Sequence, residues 1–416
     1  MNLYFFNVTE TSQAAAFGLG TYIRELMAAL RYCHINVCVV NLNSSKPQIM
    51  TEEIDGIRYW YFPTPISEMQ NLYSAEKTEL YYRNIVYLLQ LHIIDKKNLI
   101  FHFNSSRSRK LAEELKKVFD CKIVTSIHYF DWCFRLSGNL SHFKKILASK
   151  DNRPFDIFAQ SINEMYQRER IFFETVDHII CLSENAQQSL HNDYHISNTK
   201  TTVVYNGLTG NNPTSDKKML RQKYHFSDAP IILFVGRLGD IKGLKYALQA
   251  FKIVLDTLPH CHFIIAGNGE FDEYMNVCED IWSRIIWTGL IRKDKLYDLY
   301  TLADIGVMPS FHEQCSYVAI EMMMHGLPVI GSTTTGLKEM IEDGVTGLHI
   351  PVIEYDDRAE IDTDLLAEKM LHLLQHPDEQ QRMGANARKR YETVYSTSIF
   401  RQNMLNFYQS LFPVDL

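Results

Sequence analysis

Apolar segments of strand length alternate with amphipathic segments of helix length along most of this sequence. In the first half, predicted helices over 21–32, 76–91 and 108–119 lie among predicted strands over 3–6, 36–42, 57–62, 99–103, 122–127, 178–182 and 202–205. Strands that alternate with helices pair in parallel, because each helix returns the chain to the start of the next strand. The sequence therefore predicts an α/β fold with helices on both faces of a parallel sheet.

A turn-rich stretch over 206–215 separates this set of elements from a second one. Later strands are predicted over 231–235, 262–266, 284–288, 305–308, 329–330 and 347–350, with helices over 244–258, 293–302, 317–324 and 364–391. A chain of 416 residues is also too long for one compact core of usual size. We therefore expect two doubly wound, Rossmann-like domains facing a cleft, one over 1–208 and one over 209–396, followed by a last helix near 397–416.

Composition narrows the class of protein. With 46% hydrophobic residues, 22% charged residues and a net charge of -7, the chain lacks the excess of Lys and Arg that a nucleic-acid binder needs. The first seven residues predict a strand rather than a signal peptide, and no apolar run approaches the roughly 20 residues of a spanning helix. The eight cysteines form no Cys-x-x-Cys pair, so free thiols in a reducing cytoplasm are expected.

The stretch over 303–330 has the pattern strand, polar loop, helix, strand. Its loop is expected at the carboxyl end of a parallel strand, which is where open α/β sheets bind ligands. Ser316 is a suitable N-cap, and the amides near Ser316 and Tyr317 favour an anion such as phosphate. Glu313 and Glu321 lie on either side of these amides, and carboxylates accept hydrogen bonds from paired hydroxyls. Phosphate between two polyhydroxyl groups is the layout of a nucleotide sugar.

A second loop, over 234–243, joins a predicted buried strand to a helix. Arg237 and Lys242 lie five residues apart among glycines that include Gly236, so two cations and backbone amides can close on a diphosphate. The P-loop pattern is absent. The alternative is a solvated turn with two surface cations.

Together these motifs resemble those of the retaining GT-B glycosyltransferases of the family-4 type, also called glycosyl transferases group 1, whose donor-site signature is Glu-x7-Glu. The resemblance implies that Arg237 and Lys242 contact the donor phosphates, Glu313 the sugar and Glu321 the ribose. It also implies that His128, at the end of a first-domain strand, touches the donor sugar, although a lone histidine there is more often structural. The family's last helix packs back on the first domain.

Further residues are assigned to donor binding at loop positions. Gly18 and Gly20 follow the first strand without the third glycine of a dinucleotide fingerprint, so NAD binding is not expected. The other predicted contacts, which also fit ordinary strand-end turns or the start of the central helix, are Gly267, Asn268, Gly269, Leu290, Ile291 and Cys315. The loop over 333–339 resembles the family's Gly-Gly-x-x-Glu loop, with Thr335 at the first glycine, and is expected to offer amides to phosphate or to cap a helix.

No catalytic metal is predicted. Asp362-Thr363-Asp364 has the Asp-x-Asp form of a metal motif, but it precedes a helical run and helix capping explains it better. A basic set could meet an anionic membrane surface or a charged acceptor, or could be a solvated helix face; it comprises Arg107, Arg109, Lys110, Lys116, Lys117, Lys144, Lys145 and Arg153.

The resulting hypothesis is a retaining, metal-independent transfer of a sugar from a nucleoside-diphosphate donor, UDP in most of the family, to an acceptor hydroxyl. Two alternatives stay open: a nucleotide-sugar epimerase or phosphorylase of the same architecture, and a non-catalytic subunit that binds sugar nucleotides. The acceptor, whether glycan, lipid, peptide or small molecule, is left open. The protein is expected in the cytoplasm, with contact at the inner membrane face as one option.

Overall fold

The computed structural model describes residues 1–7, 18–31, 33–63, 75–149, 156–211 and 216–412. Its described strands are β1 (Asn2–Asn7), β2 (Asn36–Ser44), β3 (Met50–Ile54), β4 (Ile57–Pro63), β5 (Leu99–Phe103), β6 (Cys121–Ile127), β7 (His178–Cys181), β8 (Thr201–Val203), β9 (Ile231–Val235), β10 (His262–Ala266), β11 (Ile285–Gly289), β12 (Ile305–Met308), β13 (Val329–Ser332), β14 (Gly347–Ile350), β15 (Val352–Glu354) and β16 (Ala359–Ile361).

The described α-helices lie between or after these strands. They are α1 (Gly18–Leu30), α2 (Ala75–His92), α3 (Arg109–Val118), α4 (Leu140–Ala148), α5 (Ile157–Thr175), α6 (Glu184–Asn192), α7 (Lys217–Lys223), α8 (Leu244–Thr257), α9 (Asp272–Cys278), α10 (Lys293–Leu302), α11 (Tyr317–Met324), α12 (Leu337–Met340), α13 (Thr363–Gln375), α14 (Pro377–Arg390) and α15 (Thr397–Ser410).

The chain divides into two compact units. The first contains Met1–Phe130, Asn163–Gly207 and Thr397–Leu416, and the second contains Asp131–Ile162 and Leu208–Ser396. The sequence pattern had placed 131–162 in the first domain. In the structure this segment belongs to the second unit. The side-chain amide of Asn139 donates to the backbone carbonyls of Tyr355 at 2.8 Å and Arg358 at 2.7 Å.

The first unit is built on an eight-stranded sheet in the order β3-β4-β2-β1-β5-β6-β7-β8. All neighbouring strands are parallel except β3 and β4. Every residue of β5 is buried, as expected for a strand covered on both faces. Helix α15 belongs to this unit and buries Phe400, Met404 and Phe407, whose spacing matches the predicted last helix.

Strand β3 was not predicted, because its sequence Met-Thr-Glu-Glu-Ile lacks an apolar alternation and the strand is largely exposed at the sheet edge. It pairs with β4 through a turn in which Asp55 and Gly56 have φ values of 56° and 77°. Asp-Gly is the typical sequence of a two-residue hairpin turn, so this dipeptide was a usable signal.

The second unit has a six-stranded, all-parallel sheet in the order β11-β10-β9-β12-β13-β14, and a short antiparallel hairpin of β15 and β16. The α/β class and the parallel sheets are therefore as predicted. Strands β10 and β11 extend the sheet on one side of β9, and β13 and β14 extend it on the other side of β12. The strand order thus reverses between β9 and β12, and in open α/β sheets ligands bind at the carboxyl ends of the strands at such a point.

Candidate active site

The loops that follow β9 and β12 pack directly on one another at the point where the strand order reverses. The Phe311 amide donates to the carbonyl of Ile241 at 2.8 Å. Gly243 has a φ of 67°, and a Cβ at this position would lie 1.9 Å from the carbonyl oxygen of Pro309. Only glycine fits such a close approach. The contact brings together two loops that are separated by 60 or more residues of sequence.

As a result, Lys242 and Glu313 form an ion pair. The Nζ of Lys242 lies 2.5 Å from the Oε1 of Glu313, with 23% and 12% of the two side chains exposed. The hydroxyl of Ser310 donates to the same oxygen at 3.2 Å. Both bonds use Oε1, so Oε2 is left as an acceptor for a further donor. Two predicted site residues are therefore in direct contact at the switch point.

The backbone of Glu313 is bonded to the loop after β13. The hydroxyl of Thr335 accepts from the Glu313 amide at 2.9 Å and donates to the Glu313 carbonyl at 2.5 Å. The Gly336 amide donates to the same carbonyl at 2.8 Å. This loop was expected to direct amides at phosphate, but the Gly336 amide is used within the protein. The sequence did not predict that the loop holds Glu313.

Helix α11 begins where it was predicted, with Ser316 at its N-cap position. The Ser316 side chain makes no capping hydrogen bond, and its amide points to the thioether sulfur of Met340 at 3.2 Å. The expectation that the Ser316 hydroxyl caps the helix is therefore wrong. The Ser316 amide instead faces a thioether sulfur, which is a weak acceptor. Cys315 and Tyr317 are 7% and 8% exposed.

Glu321 lies on α11 and is 7% exposed. The hydroxyl of Tyr300 donates to its Oε2 at 2.8 Å, and the Nζ of Lys293 lies 3.7 Å from its Oε1. Burial, and then the neighbouring Glu321 carboxylate, raise the pKa of Tyr300 well above its ordinary value, so this phenol remains a donor. Sequence reasoning missed Tyr300 and Lys293. They lie seven residues apart on the predicted helix α10, a spacing that puts them on one face.

Arg237 is exposed at the start of the β9 loop, with its guanidinium 5.8 Å from the centre of the Phe134 ring. The loop continues through Gly236 and its neighbours into a close pairing with the loop after β10. The Gly236 amide donates to Ala266, and the Leu238 amide donates to Asn268. Arg237 is thus carried by a loop that is fixed on both sides.

Gly267 allows this pairing of loops. It has a φ of 156°, and a Cβ would lie 1.7 Å from the carbonyl oxygen of Gly236. Asn268 follows it at an exposed position. The other predicted donor contacts of these strand ends are exposed or half-buried at the same edge of the sheet: Gly269, Leu290 and Ile291.

In the first unit, His128 follows β6 as predicted. Its ring meets that of Tyr22 edge to face at 4.6 Å, and its Nε2 is buried without a hydrogen-bond partner among the described residues. Burial lowers the pKa of His128 to about 4, so the imidazole is neutral near pH 7. Gly18 and Gly20 were expected in a loop, but both lie in the first turn of α1. Ala16 and Phe17, which directly precede Gly18, lie outside the described residues.

A buried polar network lies next to His128 and was not predicted. His102 Nε2 is 2.8 Å from the hydroxyl of Ser126, and this hydroxyl is 2.9 Å from that of Tyr22. His102 Nδ1 is 2.7 Å from the hydroxyl of Tyr408 on α15. Burial, with a smaller contribution from His128, lowers the pKa of His102 to about 3. His102 and Tyr408 are 306 positions apart, so no local pattern indicated the network.

His312, immediately before Glu313, was also missed. It is 6% exposed, and its Nε2 lies 3.3 Å from the thiol sulfur of Cys133 in the segment 131–162. Burial, and then the positive charge of Lys242, lower the pKa of His312 to about 3. His312 therefore supplies a neutral ring beside the Lys242–Glu313 pair.

The predicted capping role of Asp362 is confirmed, because its side chain accepts from the Leu365 amide at 3.0 Å and caps α13. Among the described residues no cluster of three or more His, Cys, Asp or Glu side chains could hold a metal.

Several of the basic residues considered for membrane contact are in ion pairs, such as Lys116 with Asp177 at 2.9 Å. Arg153, from the same set, lies outside the described residues.

Comparison with known families gives two matches. The model described as "Glycosyl transferases group 1" matches residues 229–376, and the model described as "Glycosyltransferase Family 4" matches residues 18–209. The chain belongs to this glycosyltransferase family. Within the described parts of the chain, no helix combines the length and the apolar content needed to cross a bilayer.

Curated relatives of the chain align with it over part of their length. An uncharacterised glycosyltransferase of Methanocaldococcus jannaschii is 28% identical over 58% of this chain and 66% of its own length. The α-D-kanosaminyltransferase of Streptomyces kanamyceticus is also 28% identical, over 46% of this chain and 48% of its own. The chain thus spans less than two thirds of the length of these relatives.

Solved structures share the fold over nearly the whole chain. Sucrose-phosphate synthase from Thermosynechococcus elongatus has a TM-score of 0.74 at 20% identity and covers 99% of both chains. Anabaena HepE in complex with UDP-glucose has a TM-score of 0.70 at 15% identity and covers 99% of this chain and 100% of its own. The fold is that of the GT-B glycosyltransferases.

Proposed function

We propose that the protein transfers a sugar from a nucleoside-diphosphate donor, with UDP as the nucleotide, to an acceptor hydroxyl and with retention of anomeric configuration. The observation that carries this proposal is the contact between Lys242 and Glu313 at the switch point of the second sheet. A cation and a carboxylate side by side can receive the two chemically different halves of a sugar diphosphate.

Lys242 and Arg237 would stabilise the charge that grows on the departing diphosphate. Both residues belong to the β9 loop, which is fixed against the β10 and β12 loops by the bonds and close glycine contacts described above. A fixed loop needs little reorganisation as the charge develops, and stabilisation of this kind is effective for that reason. Two cationic side chains at the leaving group can take the place of a divalent ion, so the proposed reaction is metal-independent.

Glu313 would hold the sugar hydroxyls and orient the anomeric carbon. Its Oε1 is engaged by Lys242 and Ser310, and Oε2 can accept from a sugar hydroxyl. Glu321 would accept from the ribose hydroxyls, with its carboxylate held by Tyr300 and approached by Lys293. The departing phosphate would take the proton from the incoming hydroxyl, as the family resemblance implies.

Two further observations bear on the donor and on His128. The Anabaena neighbour was solved with UDP-glucose, which supports a UDP-sugar as the donor class to test first. In the first unit, a neutral His128 suits a hydrogen bond with a hydroxyl better than an ion pair with a phosphate, because burial lowers its pKa to about 4.

The test uses the full chain with a panel of nucleotide sugars. Donor binding is detected as an increase in melting temperature, and turnover is followed by release of the nucleoside diphosphate with and without acceptor extracts. We expect a UDP-sugar to stabilise the protein and to turn over in the presence of EDTA, and Glu313→Ala and Arg237→Ala to lose transfer by orders of magnitude. Lys252→Ala, which breaks a surface ion pair with Asp280, is the control.

Other outcomes separate the alternatives. Donor conversion without any acceptor, or a requirement for orthophosphate, would indicate an epimerase or a phosphorylase. Donor binding with neither hydrolysis nor transfer would indicate a binding subunit. Near-normal rates in both active-site variants, or a strict requirement for Mn²⁺ or Mg²⁺, would contradict the assignment of roles.

A further inference from the structure

Thr335 has an unusual backbone conformation. Its φ is 32°, in the left-handed region, and among the described residues it is the only β-branched residue at positive φ. The other non-glycine residues at positive φ are Asn43, Asp55, Asn98, Ser137, His195 and His225. Side chains branched at Cβ are strongly disfavoured in this region, so the surrounding structure must hold Thr335 there.

The bonds of the Thr335 side chain show what that conformation achieves. Its single hydroxyl accepts from the amide of Glu313 at 2.9 Å and donates to the carbonyl of Glu313 at 2.5 Å. Both backbone polar groups of one residue are thereby bonded to one side chain from another loop. The Gly336 amide adds a second bond to the same carbonyl at 2.8 Å.

Two neighbouring hydroxyls extend this pattern along the β12 loop. Ser332, at the end of β13, donates to the carbonyl of Ser310, and Thr334 donates to the carbonyl of Phe311 at 2.5 Å. Three hydroxyl side chains from β13 and its loop therefore bond to three backbone carbonyls around Glu313. Ser332 and Thr334 are buried and have negative φ, whereas Thr335 makes its bonds from a strained conformation.

We propose that Thr335 is a positioning residue that fixes Glu313 against Lys242 for the transfer step. This inference rests on the proposed function, because it assigns Thr335 the task of orienting the carboxylate that holds the sugar. Ser310 and Lys242 fix the Glu313 side chain at Oε1, and Thr335 fixes the backbone from which that side chain extends. The strained φ is the conformation that directs the hydroxyl to the Glu313 peptide groups.

Strain and hydroxyl can be separated by substitution. Glycine adopts positive φ freely but has no hydroxyl, so Thr335→Gly relieves the strain and removes the bonds to Glu313. Serine keeps the hydroxyl without the β-branch, so Thr335→Ser preserves the bonds with less strain. Thr333 is in the same loop, and its hydroxyl has no hydrogen-bond partner among the described residues, so Thr333→Ala is the matched control.

The experiment measures melting temperature, kcat and KM for the donor, and affinity for UDP alone. Thr335→Gly is expected to melt at or above the wild-type temperature, to bind UDP normally and to lose kcat by about tenfold, because small misplacements of a reacting centre are costly. Thr335→Ser is expected to stay within about twofold of the wild-type kcat, since it restores the hydrogen bonds. Thr333→Ala should match the wild type in all measurements.

Wild-type kcat in Thr335→Gly, or an equal loss in Thr335→Ser and Thr335→Gly, would overturn the proposal. A fall of UDP affinity in parallel with kcat would do the same, since it would mean that the whole loop had collapsed. The proposed function is tested separately by Glu313→Ala. If Glu313→Ala loses transfer while Thr335→Gly retains it, only the role of Thr335 is refuted; if Glu313→Ala retains transfer, the proposed function itself fails.

Discussion

The ammonium group of Lys242 lies 2.5 Å from the carboxylate of Glu313, although the two residues come from loops on different strands. The pair lies where the strand order of the second sheet reverses, and the Gly243–Pro309 contact sets the separation of the two loops. A ligand that brings phosphate to Lys242 and hydroxyls to Glu313 would either break this ion pair or bind to both residues while the ion pair stays formed. The energetics of the pair are therefore open to a direct test.

Lys242→Met and Glu313→Gln should each lower the rate of transfer by about a hundredfold or more, because each removes charge that would be aligned with the reacting groups. Since the two side chains touch, their effects should be coupled, and the double variant should lose less than the product of the single losses. Steady-state rates of the four proteins measure this coupling. Independent, multiplicative losses would show that the two residues act at separate places.

Gly267→Ala should destabilise the protein by at least about 1 kcal/mol and weaken UDP binding, because the new Cβ would overlap the Gly236 carbonyl at a positive φ. Gly239→Ala, in the paired loop, is the control. Gly239 has an extended φ of -177°, and a Cβ added there would meet no atom within 4 Å. Chemical denaturation and calorimetric titration with UDP should show a change in the first variant only. Equal behaviour of the two would mean that the pairing of the loops does not matter.

Stability should fall as the pH decreases below 6.5, in part because His102 stays neutral in the folded protein. Burial lowers its pKa from 6.5 to about 3, so between these values the unfolded chain binds a proton that the folded chain does not. This difference lowers the free energy of unfolding by about 1.4 kcal/mol for each pH unit. His102→Gln should make the pH dependence between pH 6 and 4 shallower by roughly this slope.

Urea denaturation at several pH values measures the effect of His102→Gln. His34→Gln, at an exposed position of the same unit, is the matched control. An unchanged slope in His102→Gln would show that His102 does not contribute to the acid sensitivity.

Asp362→Ala should lower the free energy of unfolding by about 1 kcal/mol and leave transfer unchanged, because Asp362 caps α13. Asp364→Ala removes the other carboxylate of the Asp-x-Asp sequence without removing the capping bond. Thermal denaturation and transfer assays in the presence and absence of added Mn²⁺ compare the two. Loss of activity that excess metal restores would indicate that the Asp-x-Asp sequence holds a catalytic ion after all.

The sequence was sufficient for the parts of the fold that local pattern controls. Strands β9, β10 and β12 have the predicted bounds, because continuous apolar runs end in glycine or proline at residues such as Gly236 and Pro309. Strand β3 was missed because it is polar and largely exposed, and β15 and β16 were missed because each has only three residues. In such strands the pairing partner, rather than burial, determines the conformation.

The sequence predicted several residues of the candidate site, but it did not predict their hydrogen-bond partners. Glu313 and Lys242 were singled out by motif, and each was expected in a loop at the carboxyl end of a parallel strand. The bonds of Thr335 to Glu313, of His312 to Cys133 and of His102 to Tyr408 connect positions 22, 179 and 306 residues apart. Side-chain contacts at such separations depend on the final packing, which no periodicity in the sequence encodes.

The allocation of 131–162 to the second unit has a consequence for dissecting the protein. The polypeptide passes from one compact unit to the other after residues 130, 162, 207 and 396. A cut near 208 would therefore yield an N-terminal fragment without 397–416 of the first unit and a C-terminal fragment without 131–162 of the second unit. A graft of the second unit onto a homologous protein should therefore include 131–162 together with 208–396, and the final helix should stay with the first unit.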